Sequence, residues 1–127
     1  MQVISSWEQA QLTTSKVRMV EMKFKRETMS IYFMGDKGDD SVQAGFGNDN
    51  ILADDGVDAV FAGPNDDYTN GGKGNDELYA QDGDDALEGG PGADFFDCGM
   101  GFDTVVDFSP NEGDITNDNC EDVRTKL

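Results

Sequence analysis

The sequence predicts an all-β chain wound as a parallel solenoid, with one coil for every two nine-residue units. Three observations predict it. A nine-residue unit recurs eight times over residues 35–106 without insertion or deletion. An aspartate holds one phase of that unit throughout: Asp40, Asp49, Asp58, Asp67, Asp76, Asp85, Asp94 and Asp103. Two residues later, Val42, Ile51, Val60, Leu78, Leu87, Phe96 and Val105 hold a second phase, with Thr69 its one polar member. Units this short cannot bury a core alone, and stacking is how such arrays acquire one.

The unit Gly71-Gly72-Lys73-Gly74-Asn75-Asp76-Glu77-Leu78-Tyr79 shows the logic. Its glycine-rich first half lets the chain take positive φ and bring backbone carbonyls close to a ligand. Its second half is a short strand whose side chains alternate between faces. Asp76 and Leu78 therefore share the inner side, while Glu77 and Tyr79 point out. Two units close one coil of a flattened spiral, so the loops form two columns. Asp40, Asp58, Asp76 and Asp94 stack on one edge, and Asp49, Asp67, Asp85 and Asp103 on the other.

Electrostatics then select a ligand. Coils of a parallel sheet lie about 4.8 Å apart, and like charges at that spacing repel by roughly 3 kcal/mol at an effective dielectric of about 20. A cation has to lie between the loops. Carboxylates and carbonyls, with no histidine and no thiolate pair, are hard oxygen donors that favour calcium over zinc or copper, and flexible loops favour it over magnesium. The eight in-phase aspartates are the expected ligands. The carbonyls of Gly38, Gly45, Gly47, Gly56, Gly63, Asn65, Gly72, Gly74, Gly83, Gly90, Gly92 and Gly101 are expected beside them.

The order G-G-x-G-x-D-x-U-x is a known calcium-binding repeat. Over about 72 of its 127 residues the chain resembles the RTX, or haemolysin-type calcium-binding, family. That resemblance implies a right-handed parallel β-roll with calcium between stacked loops. Four loops per column leave three gaps in each, so about six ions are expected.

Composition bounds the function. The net charge is −18, yet residues 1–30 carry five basic and three acidic side chains, and residues 31–127 carry four basic and 24 acidic ones. Such a charge excludes ordinary nucleic-acid binding and disfavours anionic lipid. With one inner position per nine residues the core is thin, so ion binding has to be part of folding. The strict phase of two residue types argues against an acidic disordered tract, although the composition would suit one.

Three segments are expected: an N-terminal cap over 1–34, the repeat array over 35–106 and a C-terminal cap over 107–127. Residues 1–14 are polar apart from Trp7, and a short helix across the open end is expected there. No apolar segment long enough for a signal peptide or a membrane span is visible. Further on, Met22 and Phe24 alternate with Lys23 and Lys25, and Ile31 and Phe33 with Tyr32 and Met34. Carried back from Val42, the nine-residue phase lands on Phe33 and then Phe24. Residues 20–34 therefore read as an ion-free coil covering the apolar end; a membrane-surface segment is the weaker reading.

Repeat quality varies. Asp36, Asp54 and Gln81 replace the second glycine of their units, and Asn65 replaces the fourth-position glycine, a mild change because Asn tolerates left-handed geometry. The middle of the array, around Asp58 and Asp67, is expected to hold ions least firmly. Outward-facing Leu52, Phe61, Tyr68, Tyr79 and Phe95 invite cover by a terminal segment or, as a second reading, by a partner. After Val106 the phase ends, and Phe108 and Ile115 are expected to seal the C-terminal end. Cys98 opens the last unit and Cys120 lies in the tail. Their disulfide would stabilise by roughly 3 kcal/mol; two buried free thiols are the other reading.

Functionally, the sequence points to a secreted or surface calcium-binding module, monomeric, with a structural or interaction role. An alternative is the non-catalytic C-terminal piece of a larger RTX hydrolase or adhesin. An enzyme is disfavoured: histidine is absent, which removes most hydrolase triads and zinc sites. Acids suffice in number for glycosidase chemistry, but every in-phase aspartate already has a cation to hold. Ice binding would need an outward threonine row, and Ser41, Ala59, Glu77 and Phe95, or Asn50, Tyr68, Ala86 and Thr104, do not make one.

Overall fold

A computed structural model describes residues 30–126. The alternation read along each unit becomes a three-residue strand. In chain order these are β1 (Tyr32–Met34), β2 (Ser41–Gln43), β3 (Asn50–Leu52), β4 (Ala59–Phe61), β5 (Tyr68–Asn70), β6 (Glu77–Tyr79), β7 (Ala86–Glu88) and β8 (Phe95–Asp97). The longer β9 (Thr104–Phe108), a 3-10 turn (Pro110–Glu112), β10 (Ile115–Thr116) and β11 (Asp122–Thr125) follow. Alternate strands fall in alternate sheets. One sheet runs β1-β3-β5-β7-β9-β11 and the other β10-β8-β6-β4-β2, with every pairing parallel. Register follows the repeat: Val42 faces Val60, Val60 faces Leu78, and Leu78 faces Phe96. The protein is an all-β parallel solenoid, as the spacing required.

The middle residue of each repeat strand is buried, from Phe33 through Val105, and Thr69 is buried among them. Phe33 takes the inner row and Ile31 the aspartate's phase, as carrying the repeat backward predicted, and both are core residues. The earlier half of that coil, with Met22 and Phe24, and the short helix expected over 1–14 lie outside the described residues. A second inner row went unread in the sequence. Alternation continues one step past each strand, so Ala44, Ala53, Ala62, Ala80 and Cys98 also face inward and are buried. Only small residues fit: a Cβ at Gly71 would lie 2.5 Å from Asp76 Oδ2.

Left-handed backbone occurs where the loops need it. At Gly74 (φ 122°) a Cβ would collide with the carbonyl of Gly56 in the neighbouring coil. Asn65 holds the same position at φ 85°. Asp54 and Gln81 adopt φ 81° and 77° where other units have glycine, a strain of about 1 kcal/mol each.

At the C-terminus the phase does not simply end after Val106. Ile115 pairs with Phe95, twenty residues earlier, whereas Asp122 pairs with Thr104 and Val123 with Val105, eighteen residues earlier. Two residues are inserted and then removed, so a further coil forms with the original register restored. Phe108 packs edge-on against Phe96 at 6.5 Å. Ile115 does not seal the end as expected. It is 60 % exposed, because in register with Phe95 it occupies an outward position. Cys98 and Cys120 form a disulfide, which settles the choice between disulfide and free thiols.

Thr69→Val should raise the calcium-saturated protein's stability by about 1 kcal/mol, because it removes a hydroxyl from the inner row. Asp54→Gly should stabilise by a similar amount through relief of positive φ. Chemical denaturation of each variant against the parent checks both.

Candidate metal centre

Each in-phase aspartate sits where a strand begins, so its backbone belongs to the sheet while its side chain turns inward beside the loop. Its N–H does not reach a backbone carbonyl. Instead it donates to the carboxylate of the next aspartate in the column. Asp40 N–H bonds to Asp58 Oδ1 at 2.7 Å, Asp58 to Asp76 at 2.8 Å, and Asp76 to Asp94 at 2.9 Å. On the other edge Asp49, Asp67 and Asp85 donate in the same way to Asp67, Asp85 and Asp103, each at 2.7 Å. The ladder runs past the repeats. Asp94 N–H donates to Asp114 Oδ1 at 2.9 Å and Asp103 N–H to Glu121 Oε2 at 3.0 Å. At the first coil, Ile31 N–H donates to Asp49.

This leaves the second oxygen. In Asp58, Asp76, Asp85, Asp94 and Asp103, Oδ2 is buried and accepts no hydrogen bond. A carboxylate oxygen shut away from water without a donor is costly. Burial accordingly pushes Asp76 and Asp85 up to about 8, Asp58 and Asp94 to about 7, and Asp103 to about 6. The N–H bonded to each carboxylate pulls the other way, and neighbouring acids push up again. A cation at those oxygens would remove both penalties. The donor set also fits a hard ion. No three Asp, Glu, His or Cys side chains converge among the described residues. Each loop offers one carboxylate together with backbone carbonyls, which suits calcium better than a transition metal.

The loops are held in stacks by their own hydrogen bonds. Gly38, Gly56 and Gly74 donate N–H to the carbonyls of Asp55, Lys73 and Pro91 one coil on, and Gly83 to that of Met100. A second side-chain ladder escaped the sequence reading. It uses the residue just before each aspartate and runs in the opposite sense. Asp39, Asn48, Asp66, Asn75 and Asp84 accept from the N–H of Val57, Asp66, Asp84, Ala93 and Phe102. The frequency of Asp and Asn at that position was its only sequence signal. Asn65 also helps, accepting from Gly47 N–H at 2.9 Å.

The tail closes the last loops with side chains. Asp107 accepts from Gly89 and Gly90 N–H, and Asp114 Oδ2 from Ser109 N–H. Asn119 accepts from Cys98 N–H and donates to Asp97. These acceptors occupy loop N–H groups that a further repeat would otherwise engage.

Asp76→Asn keeps an acceptor for the Asp58 N–H but removes the charge, so in chelator it should fold more readily than the parent. Asp76→Ala also loses that bond and should cost about 1–3 kcal/mol relative to Asp76→Asn. Circular dichroism of both variants in chelator gives the order. The raised aspartates also set a pH dependence. Their folded-state values lie above the unfolded 3.8. The stability they contribute is therefore full below about pH 4 and lost as pH rises through about 8. In chelator, β-structure should grow on acidification from pH 8 towards 5; a circular-dichroism signal that declines over that range would contradict it.

Comparison with protein families matches the RTX calcium-binding nonapeptide repeat at residues 34–69, 61–96 and 70–105. No curated protein and no solved structure gives a match. The matched span covers the phased aspartates and their loops. The chain therefore belongs to the RTX calcium-binding nonapeptide repeat family, a calcium-binding β-roll module.

Proposed function

We propose that this β-roll folds when calcium binds and that it works outside the cell as a structural or interaction module. The observation that carries the reading is the row of buried Oδ2 atoms with no donor in Asp58, Asp76, Asp85, Asp94 and Asp103. Without a cation those groups oppose the fold they sit in; with one they join adjacent coils. The proposed ligands are the eight in-phase aspartates, with the loop carbonyls of Gly38, Gly45, Gly47, Gly56, Gly63, Asn65, Gly72, Gly74, Gly83, Gly90, Gly92 and Gly101. About six ions, one per gap between repeat loops, follow from the stacking. The residues before the aspartates hold the loops in line, and calcium supplies the charge that the carboxylates lack.

The extracellular setting rests on two supports. A disulfide persists in oxidising surroundings. Sites with affinities of about 10⁻⁴–10⁻³ M fill with calcium outside a cell and stay empty in a cytosol. The family module is generally non-catalytic, and the absence of histidine suits a binding role. Among the described residues no helix is long and apolar enough to cross a membrane.

Far-UV circular dichroism during a calcium titration, with magnesium as control, tests the reading. A cooperative coil-to-β transition with calcium alone is expected. Complete β-structure in chelator at neutral pH would overturn calcium-driven folding.

A further inference from the structure

Among the described residues, one pocket wall carries no charge. A pocket of about 270 Å³ lies where the β2–β4 end of the five-stranded sheet meets the loops of the Asp49 edge, and its wall is Gln43, Gly45, Phe61, Gly63, Pro64 and Gln81. In a protein with 27 acidic residues none of these side chains is charged. Cation binding by carboxylates and loop carbonyls gives the side chains of Gln43, Phe61, Pro64 and Gln81 no role. We propose that this pocket binds a neutral sugar ring of a glycan.

Size limits the ligand. The depression is open to solvent, with Gln43 and Gln81 exposed at its wall, and it is smaller than sites that enclose drug-sized molecules, so it suits one face of a single six-membered ring. Chemistry narrows it further. Tyr79 stacks on Phe61 with centroids 4.7 Å apart and planes 5° from parallel, which fixes the Phe61 ring, and Tyr79 takes no part in the pocket wall. An aromatic face is electronegative, and the C–H face of a pyranose is weakly positive. Gln43 and Gln81 each bring a carboxamide that both donates and accepts, as sugar hydroxyls do. Among the described residues neither carboxamide is engaged in a hydrogen bond. An anionic ligand would meet a chain that stays net negative even with about six calcium ions offsetting its formal −18, and a cationic one would find no carboxylate in the wall.

Gln81 adds a separate observation. It stands where Gly45, Gly63 and Gly99 stand in the other loops of its column, and it holds φ 77° to do so. Strain of that kind persists where something else is gained. Strain alone marks nothing, since Asp54 shares it; Gln81 combines it with a free carboxamide in a pocket wall. Gly45, Gly63 and Gln81 are the second residues of three stacked loops, so the pocket exists only while those loops are in place. Its dependence on calcium rests on the calcium-driven folding proposed above.

The test uses the full chain, ¹⁵N-labelled and saturated with calcium, titrated with maltotriose and cellotriose and with trigalacturonate as the anionic control. A neutral trisaccharide should shift the side-chain amide signals of Gln43 and Gln81, and trigalacturonate should not. Gln81→Gly relieves the strain, so it should fold at least as stably by circular dichroism yet bind the sugar at least about tenfold more weakly. Phe61→Leu should weaken binding likewise. Folded protein whose Gln43 and Gln81 signals ignore both neutral sugars overturns the proposal, as does unchanged affinity in Gln81→Gly and Phe61→Leu. Sugar binding that persists in chelator, with the chain still folded, would retain the pocket and overturn calcium-driven folding instead.

Discussion

The stacking of like charges constrains everything else in this molecule. An eighteen-residue coil with one aspartate at each edge places carboxylates in columns at the spacing of adjacent strands. In Asp58, Asp67, Asp76, Asp85, Asp94 and Asp103 one oxygen is answered from within, because the N–H of the aspartate one coil earlier donates to Oδ1. The other is left buried without a donor in Asp58, Asp76, Asp85, Asp94 and Asp103. In these five the backbone satisfies half of the carboxylate and no more. A fold built this way is complete only with a cation or a proton at the remaining oxygen.

Several features away from the in-phase aspartates serve the same constraint. The inner row of alanine, glycine and Cys98 leaves room for Oδ2, as the contact of a Cβ at Gly71 with Asp76 shows. The counter-running ladder of Asp39, Asn48, Asp66, Asn75 and Asp84 ties the outer side of each loop to the next. Asp114 and Glu121 continue the aspartate ladder where the repeats stop, and the Cys98–Cys120 disulfide holds the tail on the last coil. The two outer faces are under no such demand, and their composition varies freely. One carries the Phe61, Tyr79 and Phe95 cluster, the other the Tyr68–Glu88 hydrogen bond at 2.6 Å.

The solenoid, the two columns, the aspartate row and the central apolar row were all legible from residue spacing, because each repeats in phase through eight copies. So was the backward extension to Phe33 and Ile31, which keep the phase without glycine or aspartate. The C-terminal coil was not legible. Its two-residue insertion breaks the count before Ile115, Glu121 replaces the aspartate, and the register returns only at Asp122 and Val123. A phase that is lost and regained leaves no periodic signal, so only the pairing of β11 with β9 discloses it.

The sequence by itself determined that the aspartate row and the central apolar row face inward, where residues that tolerate left-handed backbone fall, and that carboxylates stack in two columns. Those properties are local, set by alternation along a strand and by the residue types that tolerate positive φ. Tertiary structure decided how each carboxylate divides its two oxygens, which side chains before the aspartates join into a ladder, and where the tail rejoins the roll. It also gathered Gln43, Phe61 and Gln81 into one uncharged pocket. These depend on contacts between residues about eighteen positions apart, whose directions are fixed only when the coils are stacked.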